Sequence, residues 1–402
     1  MPLHAALAMT LAAASPVAVM DFDLRPHAAE RQRPYETGGH GMEPGANAQG
    51  FLFSVALPQG DYRVTVRLGN DAQAGDTTVK AEARRLMLNH VVTRRGESVE
   101  RSFLVNVRTP ALTPPPPNAP GGNAVRIDAR DAAEFTWDEK LTLEFLGKPA
   151  VRSVRIEPVV APTLFLAGDS TMTDQYAEPA ASWGQMLPAM LDDKVVVANH
   201  GKSGATMKSF LTDLRFDKLL SGMKAGDWLF IQFGHNDQKS EWPQTYADAA
   251  VTYPAYLRAY IAEARRRGGQ PVLVTSPERR NFDEAGRIKD TLGAYAAAVR
   301  KVAAQEKVPL IDLNADSRAI YEALGPDVAP TAFNDGGKDK THHDNYGAWL
   351  MAGAVAERIR ANVPGLAVHV TMPAFSPARP PAARAVPIAP SLIRSDQRPA
   401  GN

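Results

Sequence analysis

From about Phe51 to Val159 apolar positions alternate with polar ones, as in Tyr62, Val64, Val66 and Leu68 and again in Leu141, Leu143 and Phe145. A period of two buries one face of a strand. Gly60-Asp61, Gly69-Asn70 and Gly147-Lys148 punctuate these runs as turns, and no amphipathic helix of useful length intervenes, so the region predicts an antiparallel β-sandwich. The proline-rich stretch TPALTPPPPNAPGG at 109–122 would interrupt a strand, because proline lacks the N–H a ladder needs. It is expected as a stiff surface loop within this domain, not as its boundary.

After Ala161-Pro162 the period changes. Short, wholly apolar runs at 163–167, 195–198, 228–233, 271–275 and 308–313 alternate with helical patterns such as 253–267 and 291–305. Strands that are apolar on both faces and separated by helices imply a parallel sheet covered on both sides. Ligands of such sheets bind at the carboxyl ends of the strands. A last helix at about 345–361 follows a polar loop, with Asp344 as its N-cap. Beyond Pro373 the chain is rich in Pro, Ala and Arg and is expected to be disordered. The resulting division is 1–20, 21–160 (sandwich), 161–365 (α/β) and 366–402 (tail), with no internal repeat.

At 402 residues the chain is long enough for two domains. Its 44% hydrophobic and 22% charged residues are globular in composition, and a formal charge of +1 gives no electrostatic reason to expect nucleic acid or an anionic membrane as partner. The absence of cysteine removes disulfides, thiolate nucleophiles and cysteine-bound zinc. Residues 5–14 form an apolar stretch ending in Ala12-Ala13-Ala14, which suits signal peptidase although no Lys or Arg precedes it. A signal peptide over 1–20 is the expectation, and with it a secreted or periplasmic protein. No later segment approaches the roughly twenty apolar residues of a membrane-spanning helix.

Candidate chemistry begins where the first strand of the α/β region runs into Gly168-Asp169-Ser170. A serine there stands at a strand's carboxyl end, and backbone N–H groups beside it can hold a developing oxyanion. Two familiar motifs fail: G-x-S-x-G lacks its last glycine, which is Met172, and a P-loop ending in Gly201-Lys202-Ser203 would need glycine where Val196 stands. H-E-x-x-H does not occur. Near the carboxyl end, Asp339-Lys340-Thr341-His342 precedes the last helix; a turn of this length can bring the carboxylate to Nδ1 and leave Nε2 free to take a serine proton. Asn199-His200-Gly201-Lys202-Ser203-Gly204 follows the second strand and Gly234-His235-Asn236-Asp237 the third. A glycine N–H and an asparagine amide are neutral donors suited to an oxyanion.

GDS, the glycine of NHGKSG, GHND and D-x-x-H, in this order after successive strands, resemble the four sequence blocks of the SGNH/GDSL hydrolases. The resemblance implies a flavodoxin-like three-layer α/β/α fold over 163 to about 360. It makes Ser170 the nucleophile, Asp339 and His342 the other triad members, and the Ser170 N–H, Gly204 and Asn236 the oxyanion hole. GDSTMTDQ, SWGQML, FIQFGHNDQK and DKTH are most similar to rhamnogalacturonan acetylesterases, which implies a serine esterase acting on an acetylated plant cell-wall polysaccharide, without metal or cofactor. Around LPQGDYRVTVRLGN and FLVNVR the sandwich resembles the galactose-binding-like accessory domain of bacterial members. Trp183, Tyr176, Trp242 and Arg279 are expected near the rim, where they suit a sugar, although Trp183 equally fits a core position. His343 stands where several relatives carry an aromatic residue; it is a second candidate base, expected to touch substrate.

Overall fold

The structure, a computed structural model, describes residues 18–114 and 121–399. Residues 1–17 of the expected signal peptide and 115–120 of the proline-rich loop lie outside the described residues. The sandwich contains β1 (Met20–Asp23), β2 (His40–Met42), β3 (Gly50–Ala56), β4 (Gly60–Leu68), β5 (Gly75–Ala81), β6 (Arg85–Thr93), β7 (Val99–Val107), β8 (Lys140–Lys148) and β9 (Val151–Pro158). They form two antiparallel sheets, β1-β9-β4-β7 and β2-β3-β8-β5-β6. Val64, Val66, Val154 and Ile156 of one sheet meet Phe53, Val79, Leu143 and Phe145 of the other in one core. The alternation in β4 has this cause: Tyr62, Val64, Val66 and Leu68 point inward while their neighbours stay more exposed. The described flanks of the proline-rich stretch are joined by a bridge between Ala111 and Ala124.

The α/β unit contains β10 (Thr163–Gly168), β11 (Val196–Asn199), β12 (Trp228–Gln232), β13 (Gln270–Val274) and β14 (Leu310–Ile311), all parallel in the order β11-β10-β12-β13-β14. Why the apolar runs are continuous is visible in their burial. Leu164, Leu166, Phe230 and Val272 pack with the helices Leu313–Val328 and Asn345–Asn362 in one core. Phe165, Ala167, Leu229, Ile231 and Leu273 pack with Thr252–Arg266 and Gly293–Glu306 in another. This is a three-layer α/β/α fold with flavodoxin-like strand order, and it opens a crevice where the chain, after placing β11 on one side of β10, crosses to place β12 on the other. The Asp344 carboxylate caps the last helix, accepting from the Gly347 N–H at 2.9 Å.

The expectation of a disordered tail is corrected. Ser391 and Leu392 donate to the Glu144 carboxylate of β8 at 2.8 and 2.7 Å, and the Ser391 and Ser395 N–H groups reach the side chain and carbonyl of Glu178. Phe375 and Val386 are buried in the α/β core. A segment poor in apolar residues cannot build its own core, but it can complete one already formed. It also explains why β8, unlike β4, is buried on both faces.

Candidate active site

Three loops at the carboxyl edge of the parallel sheet, and a fourth before the last helix, converge on Ser170. The serine follows β10 directly and is buried at 3% exposure. Gly168 is required for this loop to close: a Cβ there would stand 2.6 Å from the Met172 sulfur and 2.7 Å from the Gln232 carbonyl oxygen. Asp169 fixes the turn by accepting the Thr171 N–H at 3.0 Å and its hydroxyl at 2.8 Å. Burial would raise the Asp169 carboxyl, but the His235 ring and the Thr171 donors outweigh it and hold it below the ordinary range.

The loop before the last helix uses both oxygens of one carboxylate. Asp339 Oδ1 accepts the N–H groups of Thr341 and His342 at 2.8 and 3.1 Å, which folds the turn; Oδ2 lies 2.9 Å from His342 Nδ1. The three-residue spacing thus serves backbone and imidazole together. His342 Nε2 is 2.8 Å from Ser170 Oγ. A carboxylate only accepts, so the ring's proton belongs on Nδ1, and Nε2 is the acceptor facing the serine hydroxyl. Burial raises the Asp339 carboxyl, yet its bonds to His342 and to the two amides win and hold it well below the usual carboxylate range. The charge opposite His342 therefore persists at neutral pH.

Asn236 is buried in the loop after β12, and its amide donates to the Ala205 carbonyl at 3.0 Å, which ties it to the loop holding Gly204. Gly204 has φ +81°, a left-handed conformation that favours glycine. Asp237 beside it accepts the Met207 N–H at 2.9 Å, and burial pushes its carboxyl up to about 7.

Two of the expected substrate contacts are corrected. Trp183 is completely buried in the α/β core, its indole N–H donating to Gln232 at 2.7 Å. His343 is buried at 1% exposure, not at the rim: its Nε2 is 2.7 Å from the Tyr321 hydroxyl and its ring lies 4.8 Å from that of Phe333. Adjacent residues entering a helix point apart, so the ring next to the base turns into the interior, where burial pushes its pKa down to about 3. Arg279 is half-buried in the loop after β13 and donates to Thr291 and the His235 carbonyl, tying that loop to the one after β12. Trp242, two turns beyond Asn236 in the β12 loop, is 37% exposed beneath the Lys239 ammonium.

Sequence reasoning gave no role to Asp169 of GDS or His235 of GHND, although the carboxylate and the ring Nδ1 meet at 3.4 Å. It also missed Gln175, whose amide donates to the Ser170 carbonyl at 2.5 Å. The signal available was only that Asp169 and His235 occupy motif positions already singled out.

Residues 166–350 match the family described as GDSL-like lipase/acylhydrolase. Rhamnogalacturonan acetylesterase RhgT of Bacillus subtilis is 40% identical over 209 residues, 49% of this chain and 88% of that protein. The probable rhamnogalacturonan acetylesterase YesY of the same organism is 35% identical over 201 residues, 49% of this chain and 92% of that one. In fold, the crystal structure of Bacillus subtilis YxiM covers 86% of this chain and 98% of its own, with TM-score 0.50 and 24% sequence identity. With the four motif loops gathered at one sheet edge and this likeness spanning most of RhgT, the chain belongs to the GDSL-like lipase/acylhydrolase family and is a carboxylic ester hydrolase.

Proposed function

We propose that the protein is a serine esterase that removes O-acetyl groups from an acetylated plant cell-wall polysaccharide, pectic rhamnogalacturonan above all. The observation that carries the mechanism is the unbroken line Asp339–His342–Ser170, with contacts of 2.9 and 2.8 Å. His342 Nε2 takes the hydroxyl proton as Ser170 Oγ attacks the acetyl carbonyl. The Ser170 and Gly204 N–H groups and the second amide hydrogen of Asn236 receive the oxyanion; its first hydrogen is committed to Ala205. His342 then returns the proton to the departing sugar oxygen as the acyl C–O bond breaks, and a water deprotonated by the same ring attacks the acetyl-serine, releasing acetate as the proton goes back to Ser170 Oγ. The names of RhgT and YesY support the carbohydrate and its pectic class.

Acetate release from a panel of acetylated rhamnogalacturonan, homogalacturonan and xylan tests the substrate. Fastest release from rhamnogalacturonan is expected; preference for xylan would overturn the pectic assignment while leaving the esterase intact. Ser170→Ala should be inactive on all of them and on p-nitrophenyl acetate, with unchanged circular dichroism. Turnover by that variant would remove Ser170 as nucleophile.

A further inference from the structure

We propose that the sandwich domain is part of the catalytic apparatus: Arg84, in the turn between β5 and β6, and Arg85, the first residue of β6, are positioning residues for the loops that carry Ser170 and Gly204. This rests on the serine-esterase reading above.

The turn is unusual in itself. Glu82 and Arg84 have φ of 55° and 64°, left-handed values that strain residues other than glycine. Lys80, Glu82, Arg84 and Arg85 are each at most 3% exposed. A hairpin that only reverses the chain takes glycine or asparagine and leaves its charges in water. Here strain and buried charge are held together: Glu82 and Arg85 bond Thr142 and Asn106 of the sandwich, while Lys80, Arg84 and Arg85 reach Glu178, Gln175 and Asp174 of the α/β unit.

Two lines of hydrogen bonds leave the turn. In the first, Arg85 Nε donates to Asp174 Oδ2 at 2.6 Å, and Asp174 Oδ1 accepts from Asn199 Nδ2 at 2.8 Å. Asn199 Oδ1 in turn accepts the Gly201 N–H at 3.1 Å, at the entrance of the Gly204 loop. Arg108, just past β7, grips the same loop by donating to the Asn199 carbonyl. In the second, Arg84 donates to the carbonyls of Gln175 and Ala180 at 3.1 and 2.9 Å. Gln175 donates through Nε2 to the Ser170 carbonyl at 2.5 Å and accepts the Ser203 hydroxyl through Oε1 at 3.3 Å. Gln185 closes the arrangement by donating to both Ala83 O and Gln175 O at 2.8 and 3.0 Å.

The serine and oxyanion loops run on beyond β10 and β11, past the last backbone bond between them, from the Lys202 N–H to the Gly168 carbonyl at 3.1 Å. Their relative placement is what transition-state stabilisation depends on. The Asp174 carboxylate and the Gln175 amide hold them to each other, and the two arginines hold Asp174 and Gln175 in place.

An internal control separates positioning from adhesion. Arg63 of β4 pairs with Asp193, ahead of β11, and so also joins the two domains, but it touches neither loop. Arg85→Ala, Arg85→Lys, Asp174→Asn and Arg63→Ala are compared by kcat and KM on p-nitrophenyl acetate, well below each variant's melting temperature. Arg85→Ala should lower kcat about 10- to 100-fold with KM within about threefold, the loss expected of a small misplacement of reacting groups. Arg85→Lys and Asp174→Asn should be intermediate, millimolar guanidinium should restore part of the Arg85→Ala rate, and Arg63→Ala should keep its kcat. Should Arg85→Ala not fold, the Arg85→Lys and Asp174→Asn values decide in the same way. Native kcat in the folded Arg85 and Asp174 variants, or an equal fall in Arg63→Ala, overturns the proposal. If instead Ser170→Ala turns over, the serine-esterase reading fails first, whatever Arg85 does.

Discussion

The loop from Asp339 to His343 and the turn from Lys80 to Arg85 both place ionisable side chains in the interior, and they do so for different ends. In the first, a single carboxylate folds its own turn and orients a ring, and the bonds that do so span at most three residues. In the second, the partners include Asp174, Gln175 and Glu178, roughly ninety positions or more along the chain in another domain. Local partners make a site that can be read from spacing; distant ones make a site that only folding reveals. The first assembly ends on a reacting atom, the second on the scaffold around it.

The sharpest way to break this contrast lies in the first loop. His342→Ala should reduce kcat by several orders of magnitude, as loss of a catalytic base does. Asp339→Asn should cost about 10⁴-fold, because the amide disfavours the productive tautomer and removes the charge facing the imidazolium. Steady-state turnover of p-nitrophenyl acetate by folded protein measures both. A loss confined to KM in either variant would remove that residue from the chemistry. Asn236→Ala comes next, with kcat down by about 10²- to 10³-fold, the usual cost of one oxyanion donor.

His343→Ala tests the neighbour. Deleting a buried ring that hydrogen-bonds Tyr321 should cost about 2–4 kcal/mol of stability in urea titrations, with kcat per folded molecule largely kept. A catalytic loss as deep as that of His342→Ala would make His343 the base.

A further effect, spread over several pH units, is one of protonation. His343 takes a proton near pH 6.5 when unfolded but only at about 3 when folded, so the unfolded state binds more protons between these values. Its contribution is unaffected above pH 6.5, and stability falls as the pH drops toward 3, by up to about 1.4 kcal/mol per unit. His343→Phe should flatten that part of the stability curve. An unchanged slope would mean that the ring is not held neutral.

Much of the molecule could be read in advance because its signals are local. Period-two alternation in β4 and the apolar runs of β10 to β13 follow from which faces are covered, and D-x-x-H encodes its own turn. The expected run at 308–313 shrank to β14, Leu310–Ile311, because an edge strand pairs on one side only. Asp312 then starts the helix Leu313–Val328, which periodicity had not separated from the strand. Trp183 could not be placed by residue type, since an indole suits a sugar or a core equally; its single donor is satisfied inside by Gln232. Arg84 and Arg85 carry no signal in the sequence, because nothing near them names the carboxylate and carbonyls they meet.

The tail that bonds Glu144 of the sandwich and Glu178 of the α/β unit follows both domains in the chain, so synthesis delivers it after both. Each domain can therefore reach its own fold before the segment that clasps them exists. The order suits assembly, for a clasp made early would hold two unfinished surfaces in the wrong register. It also marks 391–395 as a place where a tag or fusion partner would compete with the docking of the two domains.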